Sequence, residues 1–136
     1  MKPIPQEAPM GCAIACVASF LSLSYKETRK LFKDGKTREY TTGFYNRDIL
    51  KTLKKRGIVA KAHNFNKTHN KKLKPGIIVF VERSNKYPAG HYLLKTKKGW
   101  MNPWINFPII NPAKAGFQKK LPGRARWIIE ILQIQI

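Results

Sequence analysis

The sequence predicts an α+β domain in which N-terminal helices pack on an antiparallel β-sheet. Three observations predict it. The first half carries apolar segments with helical spacing and recognisable caps. The second half carries apolar or alternating runs of strand length. Helices come first and strands last, which is the order of a segregated α+β fold. With 136 residues the chain has the usual size of one domain, taken here as residues 1–136. A hydrophobic content of 43% supports an ordinary core and argues against disorder.

Residues 1–10 are proline-rich and extended. Residues 11–23 form an apolar first helix. Ser24-Tyr25-Lys26-Glu27 has the pattern of a capping box, so a short second helix runs through Thr28 to Lys33 and ends before Gly35. A polar loop follows. Asn46 suits the cap of a third helix over residues 47–56, with Ile49, Leu50 and Leu53 on one face and Gly57 past its end. Residues 58–62 suit a short strand, and residues 63–75 a polar connection rich in lysine and asparagine. The unbroken apolar run 77–81 reads as a central strand. Residues 91–96 and 100–102 form a hairpin around Lys97-Lys98-Gly99. Residues 103–123 carry four prolines and little pattern. Residues 126–136 end in clear alternation and read as a strand.

Composition narrows the function classes. Cys12 and Cys16 lie four apart, on one face of the first helix, where a disulfide has poor geometry. Two free thiols suit a reducing compartment, so a cytoplasmic location is expected. No apolar run has the length of a bilayer span. Lys2 and the apolar run 13–21 imitate a signal peptide, but Pro3, Pro5, Glu7 and Pro9 interrupt the pattern. Lysine and arginine total 27 against 7 acidic residues, a net charge of +20. No acidic residue lies between Asp48 and Glu82, or between Glu82 and Glu130. The bland reading is a lysine-rich solvated surface. The functional reading is an acidic partner: nucleic acid, an anionic membrane face or an acidic peptide.

Chemistry concentrates at three places. Cys12 stands at the start of the first helix, where free N–H groups and the helix dipole favour an anion and lower a thiol pKa. Cys16 is one turn inside and reads as core. His91 opens an apolar strand after Gly90, so it suits a general base; His63 and His69 fall in the polar connection and read as solvated. Asn102 follows on the next strand of the hairpin, where its oxygen can accept an imidazole N–H, although an asparagine before Pro103 also suits a plain turn. Cys12-x3-Cys16 and His63-x5-His69 match zinc-ligand spacings, but the gap between the pairs is far too long for a zinc finger. Neither a metal nor a cofactor is expected. Tyr87, Tyr92, Trp100, Trp104, Phe107 and Trp127 lie among lysines, as core residues or as a base-stacking surface.

The order of these parts resembles the bacteriocin-processing cysteine peptidases, the papain-like family that cuts leader peptides after a double-glycine site. In that family a glutamine precedes the nucleophile by the spacing of Gln6 to Cys12, and the cysteine opens an apolar helix, as in residues 12–20. Residues 42–50 and 56–62 look like the family's second helical segment and the turn into its first strand. Residues 73–80 look like the strand before the histidine. The resemblance covers most of residues 4–110. It implies a papain-like fold and thiol hydrolysis of a peptide bond by Cys12, His91 and Asn102, with Gln6 as oxyanion donor. Three positions depart from the family pattern. Asp-Cys-Gly is usual where this chain has Gly11-Cys12-Ala13, and an aspartate is usual where it has Asn102-Pro103. Asparagine fills that role in papain-like enzymes generally.

The substrate implied is a leader-type peptide or protein, acidic if the +20 charge serves recognition. The chain carries no membrane-spanning or nucleotide-binding segment, so it is expected to act alone or with a separately encoded export transporter. Two alternatives stay open. One is a catalytically silent domain of this fold that binds peptides, motivated by Gly11, Ala13 and Asn102. The other is a basic nucleic-acid-binding or toxin-like protein, motivated by the charge.

Overall fold

The computed structural model describes residues 1–66 and 73–135. Among the described residues four helices precede six strands: α1 (Cys12–Leu21), α2 (Tyr25–Leu31), α3 (Gly35–Arg38), α4 (Asn46–Lys55), β1 (Ile58–Asn64), β2 (Ile78–Val81), β3 (His91–Thr96), β4 (Gly99–Asn102), β5 (Gly116–Gln118) and β6 (Ala125–Ile134). The strands form one antiparallel sheet in the order β1-β6-β2-β3-β4-β5. The expected α+β class, helices packed on an antiparallel sheet, is the class observed.

Local chemistry sets the helix bounds. Ser22 adopts a left-handed conformation and Leu23 N–H returns to the Ala18 carbonyl, so α1 stops at Leu21 and not at Leu23. The α2 capping box is formed: Glu27 N–H donates to Ser24 Oγ, and Ser24 N–H donates to Glu27 Oε1. This helix ends at Leu31, and Gly35 begins the single turn of α3 inside the stretch expected as loop. Asn46 does not cap α4. It is the first helical residue, and its Oδ1 accepts from Tyr92 Oη at 2.8 Å. Asp48 closes the helix start instead, accepting from Tyr45 N–H at 2.7 Å while gripping Arg38 with both oxygens.

Strand burial explains the apolar patterns. Ile78, Tyr92, Leu94, Met101 and Ile129 belong to the main core, with α1 and α4. Ile77, Val79, Val81, Leu93, Trp100 and Ile128 form a second cluster, covered by Leu73, Leu121 and Ala125. Residues 77–81 are therefore apolar throughout because the two clusters take alternate side chains of the same strand. β6 lies between β1 and β2 over its first half; its last residues pair with β1 alone, leaving Leu132 and Ile134 exposed. β1 is longer than expected and contains His63, which faces Glu130 across the β1–β6 pair at 3.2 Å. His63 thus stands in a strand beside a carboxylate and not in a solvated connection. His69 lies outside the described residues.

The start of α1 is pinned from below. Tyr25 Oη donates to the buried Glu39 carboxylate at 2.7 Å, and Arg29 pairs with the other oxygen at 3.1 Å. Glu39 also offers its backbone carbonyl to Met10 N–H. The Tyr25 hydroxyl fills the space where a Cβ on Gly11 would sit. This accounts for a glycine before Cys12. Gly11→Ala should destabilise the protein by about 1–3 kcal/mol through overpacking. Denaturant melts of Gly11→Ala, Tyr25→Phe and the double variant should give a double that loses less than the sum of the singles, because the colliding oxygen is gone. Strict additivity would count against this contact.

Candidate active site

The pleat and register of the β3–β4 hairpin bring His91 and Asn102 together. Leu94 pairs with Met101 and Lys95 with Trp100, so Asn102 stands opposite Leu93 and diagonal to His91, all on one face. His91 Nε2 and Asn102 Oδ1 are 2.7 Å apart, and both residues are buried. Asn102 Oδ1 also accepts from Trp104 N–H at 2.9 Å. Its Nδ2 donates to Tyr87 Oη at 3.0 Å and to Gln118 Oε1 at 2.9 Å. A backbone N–H can only donate, so the atom facing Trp104 must be the amide oxygen. In neutral His91, Nε2 therefore carries the proton and Nδ1 is the basic nitrogen.

Cys12 is half-buried at the first position of α1, with no side-chain cap before it. Backbone N–H groups of Tyr92, Ala13 and Cys12 itself face the sulfur. Tyr92 is the residue after His91, so β3 supplies both the imidazole and a donor to the thiol. Cys12 and His91 line one cleft of about 750 Å³. Its walls are apolar and aromatic, with Phe44, Phe80, Trp104, Phe107 and Trp127, and small residues at Ala13, Gly43, Ala89 and Gly90. Arg47 and Arg83 are the charged lining residues, and no carboxylate lines it.

Electrostatics departs from the expectation of a lowered thiol pKa. Burial pushes the Cys12 thiol up to about 11, and the three N–H groups offset this only in part. Burial likewise moves His91 down to about 4; the Asn102 bond opposes that shift and Lys86 adds to it. Between those values the thiol and the imidazole that line the cleft are both neutral. Cys16 is fully buried in the core, and burial, then the neighbouring Cys12, raises its thiol well above the ordinary value.

The structure does not bring Gln6 to this cleft. Its side chain is buried, and Nε2 donates to the carbonyls of Ala8 at 3.0 Å and Pro9 at 3.1 Å. Both amide hydrogens are engaged on the loop before Cys12, and Oε1 is buried without a partner. Gln6 thus braces the loop before Cys12; an oxyanion-donor role requires the amide to turn. The aromatics expected as core or base-stacking residues divide clearly: Tyr87, Tyr92, Trp100 and Trp104 are buried. Tyr87, Trp104 and Gln118 surround Asn102 and were not singled out for the site. Tyr87 stands four residues before His91, but its role depends on loop geometry that no spacing encodes. Gln118 lies on β5, a three-residue strand without pattern. Among the described residues no group of three or more His, Cys, Asp or Glu is arranged to hold a metal ion. Nor is any helix among them long and apolar enough to cross a membrane.

Comparison with known proteins rests on structure. No family model matches the sequence, and no curated protein matches it. Among solved structures the chain is similar to the peptidase domain of Streptococcus ComA, a bifunctional ABC transporter involved in a quorum-sensing pathway. The match has a TM-score of 0.56 and 17% identity, and covers 94% of this chain and 95% of that one. The fold is that of this peptidase domain.

The buried neutral imidazole makes a pH prediction. His91 has an ordinary value of 6.5 and a folded value of about 4, so the unfolded chain binds more protons between the two. Stability therefore falls as pH drops from 6.5 towards 4, with a slope of up to about 1.4 kcal/mol per pH unit from this group. His91→Gln should flatten that part of the stability profile in urea melts. An unchanged acid slope would mean that His91 is not the group responsible.

Proposed function

We propose that the protein is a cysteine peptidase that cleaves a peptide bond after a small, glycine-type pair in a leader-type peptide. The observation that carries this reading is His91, held by Asn102 at 2.7 Å and lining the same cleft as a thiol at a helix start. The fold shared with a transporter-borne peptidase domain supports it. Cys12 is the nucleophile, His91 the general base and acid, and Asn102 the residue that orients the imidazole.

In this mechanism the thiol proton passes to His91 Nδ1 as sulfur attacks the scissile carbonyl carbon. A neutral pair avoids holding a buried ion pair, and charge develops only with substrate in place. The backbone N–H groups that face the sulfur are the donors available to the oxyanion. Collapse forms a thioester and releases the amine, which takes the proton from His91. Water, deprotonated by the same imidazole, then attacks the thioester to give the carboxylate product and regenerate the thiol. Gln6 assists the oxyanion if substrate draws its amide away from Ala8 and Pro9.

The cleft lining supports the substrate class. Ala13, Gly43, Ala89 and Gly90 leave room for an extended backbone with small side chains. Gly90 has a positive φ, and a Cβ there would strike the Phe80 ring. The aromatic walls suit apolar side chains farther along the peptide, and Arg47 and Arg83 suit an acidic one. An export transporter is the partner such processing serves, and a cytoplasmic site of action fits two free thiols.

Variants test the assignment. Cys12→Ala should abolish cleavage of a double-glycine peptide, while Cys16→Ala should cost roughly 1 kcal/mol of stability from lost packing and keep activity. Asn102→Asp replaces two buried N–H donors by a carboxylate oxygen facing Tyr87 and Gln118. It should lower stability by about 1–3 kcal/mol and leave kcat no higher. Full cleavage by Cys12→Ala would end the thiol mechanism. A rise in kcat for Asn102→Asp would mean that asparagine is a degraded position.

A further inference from the structure

We propose that Tyr87 is a positioning residue for His91, holding the imidazole in the one tautomer and orientation that leave Nδ1 ready to accept a proton. The inference deepens the cysteine-peptidase reading and rests on it. Tyr87 lies flat against the His91 ring, with centroids 4.0 Å apart and an interplanar angle of 0°. Phe107 meets Tyr87 edge-on at 5.3 Å and also packs on Trp104. The phenol is buried, with 2% exposure, although Tyr87 sits in the loop before β3. That loop is folded around it: Tyr87 N–H donates to Ser84 Oγ, and the Tyr87 carbonyl accepts from Ser84 and Gly90 N–H.

The hydroxyl adds a direction that stacking alone lacks. Trp104 C=O can only accept, so Tyr87 O–H must donate to it at 2.9 Å. The phenol oxygen is then left as an acceptor, and Asn102 Nδ2 donates to it. Asn102 Oδ1 turns towards His91 and fixes the proton on Nε2. One side chain thus restrains the imidazole twice: through its face by contact, and through its edge by way of Asn102. A tyrosine needed only for packing would be replaceable by phenylalanine without effect on the ring.

The two restraints separate in two variants of the full chain. Tyr87→Phe keeps the stack and removes the hydroxyl; Tyr87→Leu removes both. Long-range proton–nitrogen correlation spectra of 15N-histidine protein at neutral pH read the tautomer, with His91→Gln assigning the signals. Wild type should have a protonated Nε2 and a bare Nδ1. Tyr87→Leu should give averaged ring nitrogens, with Tyr87→Phe in between, while both melt cooperatively. Iodoacetamide alkylation of Cys12 should slow about tenfold or more in Tyr87→Leu, within the range that a positioned base supplies. If Tyr87→Leu fails to fold, the Tyr87→Phe spectrum decides alone. A wild-type tautomer in the folded variants overturns the proposal, whether or not alkylation slows. An averaged tautomer with unchanged alkylation upholds Tyr87 as the positioner and counts against the peptidase reading.

Discussion

A primary amide buried away from water has four hydrogen-bonding positions to fill, and Asn102 fills all of them. Its partners come from β3, from the loop before β3, from the turn after β4 and from β5. The site is therefore built by joining four segments at one residue that is 0% exposed. Loss of any partner would strand a buried polar atom, at a cost of about 1–3 kcal/mol. Such a fully connected network is rigid, and rigidity is what fixes the imidazole beside the cleft. It also explains why an amide suits this position better than a carboxylate: half of the network consists of donors.

The charge balance of the site follows from the same burial. Desolvation disfavours a cation at His91, and the nearby Lys86 charge adds to this. A neutral thiol and a neutral imidazole are the forms that burial favours. Arginines rather than lysines are the charged members of the cleft lining, which suits planar, bidentate contact with a carboxylate. Among the described residues most of the lysines are exposed, Lys51, Lys54 and Lys97 among them, as a solvated surface would have it.

Much of the fold was legible because its signals are local. The Ser24–Glu27 capping box, the unbroken run at 77–81 and the alternation near the C-terminus each report a physical requirement within a few residues. The ends of elements were less legible. Ser22 turns left-handed without being glycine, and Asn46 is drawn from capping by the Tyr92 hydroxyl, a partner 46 residues away. The juxtaposition of His91 and Asn102 could be read from hairpin register. The engagement of Gln6 on Ala8 and Pro9 could not, because it depends on how a proline-rich loop folds back on itself. The thiol shift was misjudged for a related reason: helix position is written in sequence, whereas desolvation of the sulfur comes from residues distant in the chain.

The central claim is that Cys12 reacts because a bound peptide presents a carbon to it. The most direct measurement is irreversible labelling by a leader-type peptide ending in a glycine-glycine chloromethyl ketone, with peptide mapping by mass spectrometry. Attack by sulfur displaces chloride and leaves a thioether on the modified residue. The account predicts a single adduct on Cys12, formed far faster than with chloroacetamide at equal concentration, and slowed in His91→Gln. Labelling of Cys16, or a Cys12 rate no different from that of chloroacetamide, would contradict it.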